Sequence, residues 1–431
     1  MDKTSKKTEI YKLIIPLFVL FETRFFYLFS VGKLDNFISY KVKIFTSLYV
    51  IAIFFISLII NKKIKFDKIS VWCMLFCVYI IFEGARNIST YNLSFYRFFF
   101  ACHGYFFILL YPALTIYSDK KKLYNYLINT LTIVSMVLSI IFLIQAFVYN
   151  RYQLSFLYLS EYKLFQNVDI RKYGIRMTAP GTIIIFSSLI SFGQILGEKK
   201  KKLHITNFIL GIAYIIFVCQ TRMTTLAIIL TLLLICFFKF TKNRFGKIKV
   251  FGIFLIAIIV LFGPYLIDNI FESDEDASVV ARVYAVKHYT KLFLKNPLCG
   301  IGLLPDDKED YTTNKILRGS RGIAHITDVG YVAYTCLLGI IGILFLIMLI
   351  KIIYQIIKNN KTKDGAYYSL ITCLVYIILT CGTLSIFDTQ RIVILPFILY
   401  VSHYIEYKNN NQYERKETID DKNTYKNTRF Y

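Results

Sequence analysis

The sequence predicts an all-α, polytopic membrane protein of about 12 transmembrane helices, and three observations predict it. Hydrophobic residues make up 56% and charged residues 18% of the 431 positions, whereas soluble domains sit near 45–50% and about 25%. Apolar runs of bilayer-spanning length recur along the chain. Lysine and arginine gather in short clusters between those runs, the pattern that orients a chain in a membrane. A soluble enzyme, a secreted disulfide scaffold and a fibrous protein are thereby excluded, and 39 Phe and 34 Tyr exclude a disordered chain. The net charge of +24 belongs to the connectors. No basic face interleaved with stacking aromatics stands outside the apolar runs, so nucleic acid is not an expected partner.

The expected spans lie at about 10–30, 42–60, 69–84, 95–117, 124–148, 178–196, 204–220, 223–240, 248–267, 327–350, 366–386 and 391–406. The first carries Glu22 and Arg24 and lacks a small-residue cleavage site, so it reads as a retained span. With the amino terminus in the cytoplasm, every short inner connector is lysine-rich, as at Lys62, Lys63, Lys65 and Lys68 or at Lys120, Lys121 and Lys122. Both termini are therefore expected inside, with membrane lipids as the surroundings. The organisation expected is one transmembrane domain over 1–407, interrupted by a large external loop at 268–326, and a polar tail at 408–431 without structure of its own.

The 268–326 loop has helical content. Ser273 to Asp276 suits a helix start, and Val279, Val283, Val286 and Phe293 recur at helical spacing against Arg282, Lys287, Lys291 and Lys295. Asn296-Pro297 stops the helix. Gly300-Ile301-Gly302 is a turn that lacks the third glycine and preceding strand of a dinucleotide fingerprint.

Of nine cysteines, all but Cys299 fall inside apolar stretches, and no disulfide framework is readable. No zinc pattern, phosphate-binding loop or nucleophile elbow occurs, and the acids at Asp306, Asp307, Glu309 and Asp310 lack the ligand order of a calcium loop. No metal and no cofactor are expected.

Outer-face arginines are the informative residues, because the charge rule disfavours them there. Arg176 precedes the sixth span, Arg222 closes the connector after Gln220-Thr221, Arg282 lies on the loop helix, and Arg318 and Arg321 precede the tenth span. Each can be an interface anchor. As a set they suit an acidic ligand, since guanidinium forks match phosphate oxygens bidentately. His325 ends the loop, and Asp328 shares its helix face if the span begins there, a pair able to place a general base. His103, in mid-span, reads as a packing residue.

Together these stretches resemble the bacterial O-antigen ligase and Wzy-type polysaccharide polymerase superfamily. Lys295-Asn296-Pro297-Leu298-Cys299-Gly300-Ile301-Gly302 is similar to its NPLxGxG stretch. Arg282-Val283-Tyr284 stands where its loop-helix arginine does. His325 and the run from Gly330-Tyr331 to Gly342 resemble its return into the membrane. Thr221-Arg222-Met223-Thr224-Thr225 resembles the start of one of its spans, and Gly174 to Pro180 the region before a middle span. Here His325 is followed by Ile-Thr-Asp where the family often has Asn or Ser, which leaves His325 and Asp328 both open as the base.

The resemblance implies an oligosaccharide polymerase of the bacterial cytoplasmic membrane, without a metal. It would take glycan from a polyprenyl-diphosphate-linked repeat unit to a sugar hydroxyl. Arg176, Arg222, Arg282 and Arg321 would hold the diphosphate, with His325 and Asp328 catalytic. The pathway's chain-length regulator and flippase are the protein partners it suggests. The alternatives are an O-antigen ligase and a lipid-linked oligosaccharide transporter.

Overall fold

The computed structural model describes residues 11–23, 28, 35–60, 66–116, 119–157, 170–171, 173–177, 181–197, 202–240, 277–305, 311–360, 362–388 and 391–427. It is an all-α polytopic membrane protein. Among the described residues, helices stand at every expected span except the ninth, 248–267, which lies outside them. Seven are long and apolar enough to cross a membrane, and two shorter apolar helices accompany them.

The helices in order are α1 (Tyr11–Glu22), α2 (Asp35–Ile60), α3 (Lys68–Tyr91), α4 (Phe95–Cys102), α5 (Leu110–Thr115), α6 (Lys120–Tyr152), α7 (Gly181–Leu196), α8 (Lys202–Tyr214), α9 (Arg222–Phe240), α10 (Ala277–Lys295), α11 (Tyr311–Arg318), α12 (Gly330–Asn359), α13 (Gly365–Leu379) and α14 (Leu395–Asn427). A 3₁₀ stretch, His103–Leu109, joins α4 to α5 into one span, and a two-rung antiparallel ribbon pairs Ile170–Arg171 with Gly174–Ile175.

Burial follows from the absence of water around the spans. Side chains such as Ile59, Val78, Phe147 and Ile378 point outward, where lipid is as apolar as a protein interior. Close approach is achieved by small residues instead. Gly193 of α7 lies so near the backbone of Ser369 in α13 that a Cβ would collide with it. Asn207 of α8 donates to the Ser187 carbonyl at 3.2 Å and to Ser191 Oγ at 2.8 Å, a polar clasp between α7 and α8.

α3 is longer than the hydropathy of its sequence suggests. It runs on past Gly84 to Tyr91, and its inward face repeats at helical spacing. Trp72 donates to the Phe345 carbonyl at 2.9 Å and Tyr79 to the Leu338 carbonyl at 2.7 Å, both on α12. Further along the same face come Glu83, Arg86 and Asn87. The polar residues that truncate the apolar run are the ones that receive the inserted loop.

α14 also exceeds expectation. It continues to Asn427, through the tail that composition predicts to lack structure. A helix nucleated in the bilayer propagates into a polar segment at little cost per residue.

At the end of the bundle away from the loop, Asp67 caps α3 by accepting from Ser70 N at 2.7 Å. Tyr111 donates to the same carboxylate, and His403 Nδ1 lies 2.8 Å from it. Burial pushes the Asp67 carboxyl up, but hydrogen bonds from His403, Ser70 and Tyr111 outweigh it and hold the group well below the usual carboxylate range.

Candidate functional site

The loop enters the bundle through a broken helix. At Gly339, inside α12, φ is 62° and ψ is −159°, so the helical ladder opens for one residue. A Cβ at this position would strike the Leu298 carbonyl, so only glycine fits. The freed groups are met by the Asn296–Gly302 stretch. Ile301 N donates to Cys336 O and Gly302 N to Leu337 O, both at 2.9 Å, while Ile340 N donates to Pro297 O at 2.8 Å. Irregular backbone at membrane depth needs such partners.

α3 clamps the other side of that stretch. Arg86 Nη2 lies 2.6 Å from Glu83 Oε2 and donates to the Gly300 carbonyl at 3.0 Å. Asn87 donates to Leu303 O at 2.8 Å and Tyr91 to Ile301 O at 3.2 Å. Glu83 is fully buried, so its charge rests on Arg86.

Above the clamp, α10 packs on α11 and the return segment through a small core of Ala285, Tyr289, Leu304, Leu317, Ala324 and Val329. Tyr289 donates to Leu317 O at 2.6 Å, and His288 donates to Ile316 O at 2.8 Å. The apolar face of α10 is therefore not quite the one its valines suggest. Val283 and Val286 are exposed, while Ala285 and Tyr289 face inward. Long aromatic reach and a small neighbour suit the narrow contact with the loop better than β-branched side chains do.

The return segment then leads into the membrane. His325 has extended backbone at the start of a single 3₁₀ turn, Ile326–Asp328, and α12 begins only at Gly330. His325 and Asp328 are both exposed. The Asp328 carboxylate accepts from Thr327 Oγ1 at 3.4 Å. The two residues the sequence pairs are thus brought to one turn, linked by the Asp328 N–H to His325 carbonyl bond at 3.2 Å, without a hydrogen bond between their side chains.

The arginines separate into different surroundings. Arg176 donates from Nε to the Cys219 carbonyl and from Nη2 to Thr221 Oγ1, each at 3.2 Å, and so ties the ribbon to the α8–α9 connector. Arg222 is exposed at the first position of α9. Arg282 is exposed on α10, and Arg321 lies over the Tyr284 ring at 5.4 Å. Hydrogen bonds with Ser320 and the Arg321 N–H stabilise the Tyr284 phenolate and push its pKa down.

Sequence reasoning misses Arg391. It is buried, donates to Thr380 Oγ1 at 2.9 Å and to Tyr376 OH at 3.3 Å, and lies 5.5 Å from the Tyr376 ring centroid. It is the first residue of the expected span 391–406, and its local pattern carries no signal of these partners. Glu83 and Arg86 are also missed, although their spacing of three on one helix was the available signal.

A cavity of about 280 Å³ opens beneath the return segment. Ile326 and Thr327, the residues between His325 and Asp328, form part of its wall, with Gly330 and Tyr334 of α12 below them. Lys43 of α2, His103, and Ser385 and Asp388 from the α13–α14 connector add further polar groups to its lining. Among the described residues no cluster of three or more His, Cys, Asp or Glu is placed to hold a metal ion.

Residues 207–347 match the family model described as O-antigen ligase. The match supports the superfamily that the motifs resemble, and it contains Arg222, Arg282, Arg321, His325 and Asp328 but not Arg176. No curated protein matches the chain.

Proposed function

We propose that the protein is an oligosaccharide polymerase that moves glycan from a polyprenyl-diphosphate-linked repeat unit to a sugar hydroxyl of the growing chain, at the outer face of the bacterial cytoplasmic membrane. The observation that carries this reading is the return segment. It holds an exposed His325 and Asp328 on one turn while the two residues between them line a cavity that is walled below by Gly330 and Tyr334 of α12.

In the reaction, the acceptor hydroxyl oxygen attacks the anomeric carbon, and the bond from that carbon to the phosphate oxygen breaks. The polyprenyl diphosphate leaves with the bonding electrons. His325 takes the hydroxyl proton, with Asp328 orienting it or replacing it as base. Arg222, Arg282 and Arg321 meet the charge that develops on the leaving diphosphate. Arg176 reaches the same region while bracing the connector. An acceptor built from repeat units is preferred to a lipid core because that role serves many envelope types.

The test is polymer formation in cells depleted of the native chain. His325→Ala and Arg282→Ala are expected to insert normally and accumulate unpolymerised lipid-linked repeat units, with His325→Ala slowed by about 10²–10⁴-fold. Asp328→Asn is expected to be intermediate. Wild-type polymer from both His325→Ala and Asp328→Asn would remove side-chain base catalysis from this turn. Transfer to lipid A core but not to repeat units would make the protein a ligase, and movement of the donor across vesicles without lengthening would make it a transporter.

A further inference from the structure

Helix α9 does not inherit its orientation from α8. Between them Ile215–Cys219 form a π-helical turn, closed by Gln220 N donating to the Ile215 carbonyl at 3.0 Å. Gln220 itself is left-handed, at φ 47°. A π turn followed by a left-handed residue interrupts the regular helical ladder, so the rotation of α9 about its axis is set by what its first turn touches. Two arginines supply that contact. From one side Arg176 holds Thr221 Oγ1 at 3.2 Å. From the other side comes Arg391.

Arg391 is 6% exposed. Among the described residues, its side chain donates to hydroxyls rather than to a carboxylate: Thr380 Oγ1 at 2.9 Å and Tyr376 OH at 3.3 Å. A cation placed this way at the start of a membrane span is costly to keep, which asks for a function. The Tyr376 ring is fully buried and is held edge to face against Phe186, with 5.5 Å between centroids. Its hydroxyl accepts from Arg391 and so keeps its own proton for the Thr224 side chain of α9. Thr224 is buried, two positions after Arg222. Two helical positions stand about 200° apart around the axis. A hold on Thr224 at the inner face therefore fixes the outward bearing of Arg222, which is exposed.

We propose that Arg391 is a positioning residue: through Tyr376 and Thr224 it sets the direction in which Arg222 presents its guanidinium to the diphosphate of a polyprenyl-linked donor. The proposal rests on the polymerase reading for the identity of that donor. Loss of Arg391 leaves the Tyr376 hydroxyl without its donor, so the fork at Arg222 loses direction rather than charge. A bidentate match to phosphate oxygens depends on direction. Arg391 and Tyr376 both lie beyond the matched segment 207–347.

The experiment is calorimetric titration of the purified full-length protein in detergent with farnesyl diphosphate, a short polyprenyl diphosphate. Arg391→Met fills much of the same space and removes the donors. It is expected to weaken binding about tenfold, within the range of coupling between neighbouring residues. Tyr376→Phe and Thr224→Val cut the same chain further along while keeping the packing, and each should weaken binding by a similar factor. The deciding measurement is the double variant. On an Arg222→Ala background, where the remaining arginines still bind the probe, Arg391→Met should cost nothing further in binding, whatever it does to the unfolding temperature. An effect that runs through Arg222 vanishes with Arg222, whereas a general loss of structure does not.

Absence of binding by the wild type, wild-type binding by Arg391→Met or by Arg222→Ala, or losses that multiply in the double variant would each overturn the proposal. If Arg391→Met does not insert, Tyr376→Phe alone and combined with Arg222→Ala carries the same outcomes. Polymer formation in cells is scored in parallel. If Arg222→Ala weakens binding and abolishes polymer while Arg391→Met changes neither, the positioning role alone fails. If binding shows the coupling while no variant alters polymer, the polymerase reading alone fails.

Discussion

Two groups of arginines stand at the loop end of the bundle, and they live in opposite conditions. Arg391 is buried and Arg86 partly so, and both spend their donors inside the protein: Arg86 on buried Glu83 and the Gly300 carbonyl, Arg391 on Thr380 and Tyr376. Arg222, Arg282 and Arg321 are exposed. The exposed set lies inside the segment that matches the O-antigen ligase family model, and the enclosed set lies outside it. One kind of side chain thus does two jobs. Enclosed guanidiniums spend their donors on fixing the loop stem and the α13–α14 connector. Under the proposed function, exposed ones keep their donors for an anion that arrives from outside.

If that division is right, the largest loss of stability belongs to Arg86. Arg86→Ala leaves the Glu83 carboxylate buried and uncompensated, and breaking such a pair costs about 3–5 kcal/mol. Thermal unfolding in detergent should drop sharply, and the doubly substituted Glu83→Gln/Arg86→Met should recover most of the loss. A single Arg86→Ala variant with wild-type stability would break the comparison at its stronger end.

The arginine contrast also marks what the sequence could tell. Spans are legible because a bilayer demands long apolar runs, and those runs locate α2, α6, α9 and α12 well. The third span is cut short in a sequence reading because Glu83, Arg86 and Asn87 look like a membrane exit. Only their tertiary partners, the carbonyls of residues 300 and 303, make them interior residues. Gly339 likewise reads as one more glycine of an apolar run, because its break depends on the Leu298 carbonyl, which is distant in sequence. The exposed arginines were readable because they violate the charge pattern of a membrane protein, and His325 because it ends the loop three residues before Asp328. The unpartnered state of the His103 Nε2 among the described residues was not, since it depends on neighbours distant in sequence.

The second test takes the exposed set. Arg222→Ala should leave unfolding unchanged and cut polymer by about 10²–10³-fold, the cost of losing one donor to a developing anion. Arg222→Lys keeps the charge but not the fork and should fall between Ala and wild type. Normal polymer from both would return Arg222 to the role of interface anchor. The opposite pattern, lost stability with normal activity per folded molecule, would move it into the enclosed group.

A carboxylate at the far end of the bundle sharpens the contrast by pH. The native hydrogen bonds of Asp67 hold its pKa below that of the unfolded chain, about 3.9. The stabilisation is then fully present above the unfolded value and is lost as pH falls through the lower folded value. Asp67→Asn should lower stability by about 1–3 kcal/mol between pH 5 and 8. The gap between wild type and variant should close in acid. A gap that widens below pH 4 would show that the carboxylate is not held in its charged form.

The smallest effect is expected at Arg321, and it probes the boundary between the two sets. Its guanidinium lies over Tyr284 at 5.4 Å, and its N–H is 3.3 Å from the Tyr284 hydroxyl. An exposed cation–π contact contributes about 0.5–1 kcal/mol, so Arg321→Ala should barely move the unfolding temperature. Arg321→Lys should retain part of the ring contact while losing the fork that suits phosphate oxygens. If Arg321 serves the donor, Arg321→Ala and Arg321→Lys should both raise the donor concentration needed for half-maximal polymer, while Tyr284→Phe should not, because the ring remains. If instead Tyr284→Ala reproduces the whole effect of Arg321→Ala, the contact between them is the function of both. Arg321 then fastens the return segment to α10 and joins Arg86 and Arg391 on the architectural side.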